Sequence, residues 1–197
     1  MIMPINDKKF LKQIFLEART YHAWKDQEVK DTLLAEIYDL MKFGPTSTNC
    51  TPLRIIFVKS QAAKEILKPC LASGNVKQTM CAPVTAIFSY DTEFYEHLPF
   101  LAPHTNAKSW FEGKPDYIEK TAVLNSALQA AYFMIAARMK GLDCGPMSGF
   151  NQTKTNQAFF EDTPYKSLFL CNLGYGEPKD QHPRAPRFEF SEICDIR

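Results

Sequence analysis

The sequence has no run of about 20 consecutive apolar residues, the length that a helix needs to cross a bilayer. Its first ten residues, MIMPINDKKF, have no apolar signal region before the charges that begin at Asp7. Lysine and arginine number 23 and the acidic residues 22, a formal net charge of +1. That balance lacks the basic excess of proteins that bind nucleic acid or anionic membranes. The sequence therefore predicts a cytoplasmic protein with neither kind of partner.

Metal and thiol chemistry also have little support. The four histidines are scattered, and no cysteine forms a CxxC pair or stands beside a histidine at the spacing of metal ligands. We expect no metal site, and we expect the six cysteines to be small, mostly buried apolar residues. Cys50 lies in a loop rich in polar groups, where a catalytic thiol is the alternative.

Several nucleotide and hydrolase motifs are missing as well. The sequence has no GxGxxG after a strand-like run, no GxxxxGK[ST], no GxSxG and no HExxH. These absences argue against a Rossmann dinucleotide site, a phosphate-binding P-loop, an α/β-hydrolase nucleophile and a zinc protease. A nucleotide could still be held by backbone groups and a few cations.

The hydrophobic pattern predicts alternating helices and strands in one compact domain of 197 residues. Apolar stripes predict helices over 7–21, capped by Asn6 or Asp7, and over 33–41, 61–71, 116–140 and 153–160. Short runs rich in β-branched residues predict strands over 53–58, 84–90 and 167–176. Such an order indicates a layered α/β or α+β fold. Residues 91–115, rich in aromatics and proline, fit either an ordinary connection or a lid over a site.

Two turns are rich in small and polar residues. FGPTSTNCTP (43–52) joins a predicted helix to a predicted strand, and CGPMSGF (144–150) follows the longest helix. Gly, Pro, Asn and Ser favour turns for local backbone reasons, so an ordinary loop is one interpretation. Exposed N–H and O–H groups around a polar ligand are the other.

Four segments, in order along the chain, resemble the nitroreductase family. They are ARTYHAW (18–24), GPTSTNCTP (44–52), GPMSGF (145–150) and HPRAP (182–186). Longer segments, LMKFGPTSTNCTPLRIIF, APVTAIFSYDTEFYEHLP, GLDCGPMSGF and LGYG, are similar to the malonic semialdehyde reductases of the pyrimidine-utilisation pathway.

The resemblance implies an α+β fold with a central, mostly antiparallel sheet flanked by helices, assembled as an intertwined homodimer with two flavins at its interface. It implies FMN as cofactor, NAD(P)H as co-substrate, and reduction of malonic semialdehyde (3-oxopropanoate) to 3-hydroxypropanoate. A broad nitro or quinone reductase remains an alternative, as does a flavin-binding protein without turnover.

The resemblance also implies a set of FMN-binding residues. Arg19, Thr20 and Arg184 match phosphate contacts, and His22 stands near the ring edge, where the family usually has Arg or Lys. Contacts to the ribityl chain and ring edge are matched by Pro45, Thr46, Ser47 and Asn49, and ring contacts by Asn75 and Gln78. The last segment is the turn Pro146, Met147, Ser148 and Gly149, in which backbone N–H groups near Ser148 and Gly149 would point at flavin N5. The family often has Glu in place of Ser148.

The carboxylate of an acceptor would need a cation, and Arg54 and His22 are the candidates. Arg54 also fits an ordinary surface charge at a strand end, and Asn75 and Gln78 also fit polar residues at a helix end. In the implied dimer, residues 46–49 of one chain serve a flavin whose phosphate is held by Arg19 and Arg184 of the other.

Overall fold

The computed structural model describes residues 8–179 and 181–197. The strands are β1 (Leu53–Val58), β2 (Val84–Asp91), β3 (Asp143–Met147) and β4 (Tyr165–Gly174). The helices are α1 (Lys8–Leu11), which continues as a π-helical turn (Lys12–Leu16), α2 (Asp31–Met41), α3 (Gln61–Leu67), α4 (Ser73–Cys81), α5 (Leu98–Leu101), α6 (Pro115–Met139), α7 (Gln152–Phe159) and α8 (Phe190–Ile193).

The four strands form an antiparallel sheet in the order β1-β2-β4-β3. Strand β2 lies inside the sheet and is buried at all eight positions, as its nearly continuous apolar sequence VTAIFSY predicts. Strands β1 and β3 are the two edges. This confirms the predicted α+β fold with an antiparallel sheet flanked by helices.

Helix α6 packs against the sheet and forms much of the core. Phe133 is fully buried, with its ring centroid 5.9 Å from that of Phe57 and 5.4 Å from that of Phe88. Its opposite face leaves Leu124, at 58%, and Leu128 exposed. The predicted helix is confirmed within one residue at each end.

Within the described residues, no helix has the length and apolar character that crossing a membrane requires.

The first helix is shorter than predicted: its helical turns end at Leu16. Arg19 and Thr20 therefore lie beyond the helix and not at its end. Thr20 forms a parallel bridge with Cys144, so the edge of β3 supplies backbone partners that a longer helix would have supplied. The predicted helix caps, Asn6 and Asp7, lie outside the described residues.

Residues 144–150 are not simply the turn that their composition suggested, because they include most of β3. A Cβ added to Gly145 would lie 2.8 Å from the carbonyl oxygen of Tyr21, so glycine lets the N-terminal segment approach this strand. Pro146 is tolerated because β3 is an edge strand. The last strand is also shifted, to Tyr165–Gly174.

Helix α4 was not predicted, since its sequence SGNVKQTMC lacks a clear apolar stripe. Hydrogen bonds from another part of the chain stabilise this helix. The buried ammonium of Lys64 donates to the carbonyl oxygens of Met80 (3.3 Å) and Ala82 (2.6 Å), at and just beyond the C-terminal end of the helix.

Residues 91–115 contain two short 3₁₀ turns and α5. Their side chains Phe94, Leu98 and Phe111 are buried in a separate cluster with Tyr90 and Ala122. The segment is therefore a packed layer over one end of α6.

Candidate functional site

The loop between α2 and β1 has an unusual backbone. Thr48, Asn49 and Thr51 all have positive φ angles, of 52°, 53° and 35°. Such angles are uncommon outside glycine and persist only where the surroundings hold them, which is often at functional sites. Ser47 and Asn49 are exposed, so their polar groups can reach a ligand.

Polar side chains on α6 hold this loop in place. Asn125 Oδ1 accepts a hydrogen bond from Ser47 N–H (2.8 Å), and Gln129 Oε1 accepts one from Leu53 N–H (3.0 Å). The Tyr132 hydroxyl donates to the carbonyl oxygen of Pro45 (3.1 Å). We did not identify these three residues from the sequence. The signal was present, because positions 125, 129 and 132 are polar groups on one face of a helix that is otherwise largely apolar.

The loop is also joined to the segment 91–115. Asn49 Nδ2 donates to the carbonyl oxygen of Leu101 (2.8 Å), and within the loop Thr46 Oγ1 accepts from Thr51 N–H (3.3 Å). Two aromatic residues that are next in sequence to these segments, Phe43 before Gly44 and Phe100 before Leu101, are 81% and 85% exposed.

Arg54 is engaged within the chain. Its Nη2 lies 2.6 Å from Asp91 Oδ2, and its Nη1 donates to the carbonyl oxygens of Thr51 (3.1 Å) and Leu53 (3.0 Å). The Asp91 side chain is 1% exposed, and its other oxygen accepts from Glu93 N–H. Arg54 therefore fixes the junction between the loop and β1, and its role as a substrate contact stays a prediction.

The thiol of Cys50 does not fit a nucleophile. Its side chain is buried, and this burial raises its pKa to about 11, although a hydrogen bond with Thr46 acts in the opposite direction. Since the thiolate is the reactive form, a thiol with a raised pKa reacts slowly at neutral pH.

We call residues 44–54 the loop half-site.

A second group of candidate residues lies at the other edge of the sheet. His22 Nδ1 is hydrogen-bonded to Gln78 Oε1, Gln78 Nε2 donates to Asn75 Oδ1 (2.7 Å), and Asn75 Nδ2 donates to the carbonyl oxygen of Gly149 (2.8 Å). A Cβ at position 149 would lie 2.6 Å from Asn75 Nδ2, so a side chain there would displace the Asn75 carboxamide. We call this chain of hydrogen bonds the relay.

The arginines predicted to bind phosphate lie in the same region. Arg19 Nη2 donates to the carbonyl oxygen of His182 (2.5 Å), and Arg184 Nη2 donates to those of Leu16 (2.8 Å) and Ala18 (2.9 Å). The structure thus holds the N-terminal segment against the C-terminal one. Each guanidinium keeps further N–H donors beyond these contacts, because arginine has five.

The turn after β3 completes this group. Pro146 and Met147 end the strand in register with Cys171 and Leu170, and Ser148 then turns the chain, its carbonyl oxygen accepting from Phe150 N–H. The relay half-site comprises residues 19–22, 75–78, 146–149 and 184.

A single chain does not bring the two half-sites together. The loop half-site leads into β1 and the relay half-site surrounds the end of β3, and these strands are opposite edges of the sheet. Three interstrand spacings separate them, about 14 Å.

The chemistry of the two half-sites fits a phosphorylated ligand with a polar chain and a flat polar ring. Two arginines offer charged donors for phosphate, and the exposed Ser47 and Asn49 offer hydrogen bonds for a polar chain. At Gly149 the space of a side chain is taken by Asn75, so the relay packs directly against the backbone of this turn. The described residues contain no group of three His, Cys, Asp or Glu side chains arranged to hold a metal ion.

The model of the Nitroreductase family matches residues 16–175. A protein of Polynucleobacter asymbioticus with the provisional name NADH dehydrogenase/NAD(P)H nitroreductase is 55% identical over 196 residues, which cover 100% of both chains.

Solved structures share the fold. A structure from Bacillus subtilis, described as a nitroreductase, has a TM-score of 0.85 at 18% identity and covers 96% of this chain and 99% of its own. Another from Exiguobacterium sibiricum, described as a nitroreductase in complex with FMN, has a TM-score of 0.82 at 18% identity and covers 95% and 97%.

The role of Asn125 can be tested by removing its acceptor. Asn125→Leu leaves the Ser47 N–H without a partner, and we expect a loss of about 1–3 kcal/mol in the free energy of unfolding. Faster hydrogen exchange should be confined to residues 46–52. Ser126→Ala is the matched control, because Ser126 is its buried neighbour and its Oγ has no hydrogen-bond partner among the described residues. Equal effects of the two changes would show that Asn125 does not hold the loop.

Proposed function

Because this chain belongs to the nitroreductase family, we propose that it is an NAD(P)H-dependent oxidoreductase with FMN as its cofactor. Two relatives support this: the Polynucleobacter protein is named for NAD(P)H, and the Exiguobacterium structure contains FMN. In this proposal residues 1–197 act as one domain in the cytoplasm, and residues 91–115 cover the site.

The relay half-site would hold the phosphate and one side of the ring. Arg19, Thr20 and Arg184 would bind phosphate, while His22, Asn75 and Gln78 would face the ring. Backbone N–H groups in the turn 146–149 would approach N5. Bound FMN would supply the chemistry, taking hydride from NAD(P)H at N5 and giving it to the acceptor.

The observation that carries the proposal is the placement of two complementary half-sites at opposite edges of the sheet. A second copy of the chain would bring its loop half-site, with Pro45, Thr46, Ser47 and Asn49, to the ribityl chain and ring. Exposed apolar side chains support such a homodimer, because monomeric proteins rarely leave large apolar patches uncovered. They lie on α6 (Leu124, Leu128) and in the C-terminal segment (Phe188, Phe190, Ile193, Ile196).

We propose malonic semialdehyde as the acceptor, reduced to 3-hydroxypropanoate. The support is the resemblance of four long segments to enzymes with that substrate. Of the two candidate cations for its carboxylate, Arg54 is already paired with Asp91. His22, whose ring is exposed, is the freer of the two.

A specific observation also favours a second acceptor class. Phe43 precedes the loop half-site in the chain, and Phe100 precedes Leu101, whose carbonyl oxygen Asn49 contacts; their exposed rings offer flat apolar surfaces to a quinone or a nitroaromatic. A third function, flavin binding without turnover, differs from both because NAD(P)H would then leave the flavin oxidised.

The acceptor can be identified by steady-state kinetics. We expect kcat/KM for 3-oxopropanoate to exceed that for a benzoquinone and a nitrobenzoate, with NADH and NADPH each tried as donor. Phe100→Ala should lower the quinone rate more than the aldehyde rate, because only the flat acceptor stacks on that ring. A higher kcat/KM for the quinone would establish the second candidate, and a flavin that NAD(P)H does not bleach would establish the third.

The cofactor site can be tested at Arg184. The purified protein should bind about one FMN per chain, and Arg184→Ala should weaken this binding by about 10- to 100-fold, since a charged hydrogen bond contributes about 1.5–3 kcal/mol. Arg187→Ala is the control, because the Arg187 guanidinium donates to the nearby carbonyl oxygens of Ala185 and Pro186. Equal losses of FMN affinity in the two variants would contradict the assignment. Arg184→Ala also removes the hydrogen bonds to Leu16 and Ala18, and the free energy of unfolding measured without FMN shows how much stability that change costs.

The shared site can be tested by mixing two defective chains. One chain carries Arg184→Ala and the other carries Ser47→Ala with Asn49→Ala, so each homodimer has two damaged sites. In a two-fold symmetric heterodimer one site takes both defects and the other takes none. Each heterodimer should therefore recover about half of the parent activity. Absence of recovery in purified heterodimers, or a monomer by light scattering, would exclude the shared site.

A further inference from the structure

The relay has a direction that begins at a backbone carbonyl. The carbonyl oxygen of Gly149 can only accept, so the nitrogen of the Asn75 carboxamide must face it. Asn75 Oδ1 is then the acceptor for Gln78 Nε2, which leaves Gln78 Oε1 facing the imidazole. The orientation of both carboxamides follows from this single fixed point.

We propose that the relay holds the neutral ring of His22 as the Nδ1–H tautomer, so that Nε2 is the nitrogen that gains or loses a proton beside the ligand. Since Gln78 Oε1 has no hydrogen to offer, Nδ1 must be the donor in their hydrogen bond. Nε2, the second ring nitrogen, has no hydrogen-bond partner among the described residues, and the residue is exposed. Neutral His22 therefore presents an acceptor outward, and protonated His22 presents a charged donor. Gln78 and Asn75 act as positioning residues.

The consequence for the ligand rests on the proposed function. Reduced FMN carries more negative charge on its ring edge than oxidised FMN does. A permanent cation at position 22, such as the Arg or Lys usual in the family, would stabilise that charge at every pH. His22 would do so only after its Nε2 binds a proton from solvent, so reduction would be coupled to proton uptake at this atom.

Other charged groups occur on the elements around His22, but among the described residues the structure pairs the ring only with Gln78. The titratable groups on these elements include Arg19, Tyr21, Lys25 and Asp26 on its own segment, Lys77 and Cys81 on α4, Asp143 and Cys144 on β3, and Glu177, Lys179, His182 and Arg184 on the C-terminal segment. Because these groups can also titrate, variants at position 22 are needed to isolate the contribution of His22.

The tautomer can be measured without any flavin. Long-range ¹H–¹⁵N NMR of histidine-labelled protein at about pH 9, above the ordinary titration range of histidine, distinguishes the two nitrogens, and the signals missing in His22→Gln assign the residue. We expect Nδ1–H for His22, and loss of that preference in Gln78→Leu. His104 is the internal control, since its ring has no hydrogen-bond partner within the described residues. An Nε2–H tautomer in the parent protein would overturn the proposal, whether or not Gln78→Leu folds.

The coupling can be measured from the midpoint potential of bound FMN, which gives the preference of the protein for reduced over oxidised FMN. This preference for reduced FMN should be about tenfold greater in His22→Lys than in the parent at pH 9, and the same in both near pH 5.5, because lysine stays charged. In His22→Gln the preference should be about tenfold smaller than in the parent near pH 5.5, and the same as in the parent at pH 9. Differences that are the same at both pH values would overturn the coupling.

The two measurements separate this proposal from the proposed function. If the protein binds no FMN, the proposed function fails while the NMR result still decides the tautomer. Suppose instead that FMN binds, that NAD(P)H reduces it, and that the midpoint potentials of the parent, His22→Lys and His22→Gln change equally with pH. The proposed function then stands, and the coupling at His22 fails.

Discussion

The width of the sheet is the constraint on which the candidate site depends. Strands β2 and β4 lie between β1 and β3 in the sheet, which makes β1 and β3 its edges, about 14 Å apart. Each edge carries polar groups suited to a different part of one ligand. In the proposed homodimer, this separation is the reason that each site would take one half from each chain.

Polar side chains inside apolar layers do most of the positioning. Helix α6 packs its alanines and Phe133 on the sheet, yet it also buries Asn125 and Gln129. Each buried carboxamide accepts a backbone N–H of the loop half-site, and a buried N–H without a partner is costly. The same helix therefore supplies the core and holds the positive φ angles of the loop.

The two edges of the sheet differ in how their charged side chains are paired. Asp91 is buried and paired with Arg54, which ties the loop to β1 and leaves that edge nearly neutral. At the other edge Arg19 and Arg184 bind carbonyl oxygens, not carboxylates, so their charges remain uncompensated by these contacts. An anionic phosphate is therefore better placed at the edge formed by β3 than at the edge formed by β1.

The sequence alone determined the strands β1, β2 and β4 and the long helix α6, because their apolar runs are specific to buried elements. Its motifs also identified the family. It did not determine α4 or β3, whose stability comes from Lys64 and from pairing with β4. The end of the first helix depended on a backbone partner in β3. Only the tertiary structure decided that Arg54 is paired and that His22, Gln78 and Asn75 form one relay, because hydrogen bonds between residues 37, 56 or 74 positions apart have no periodic signature in the chain.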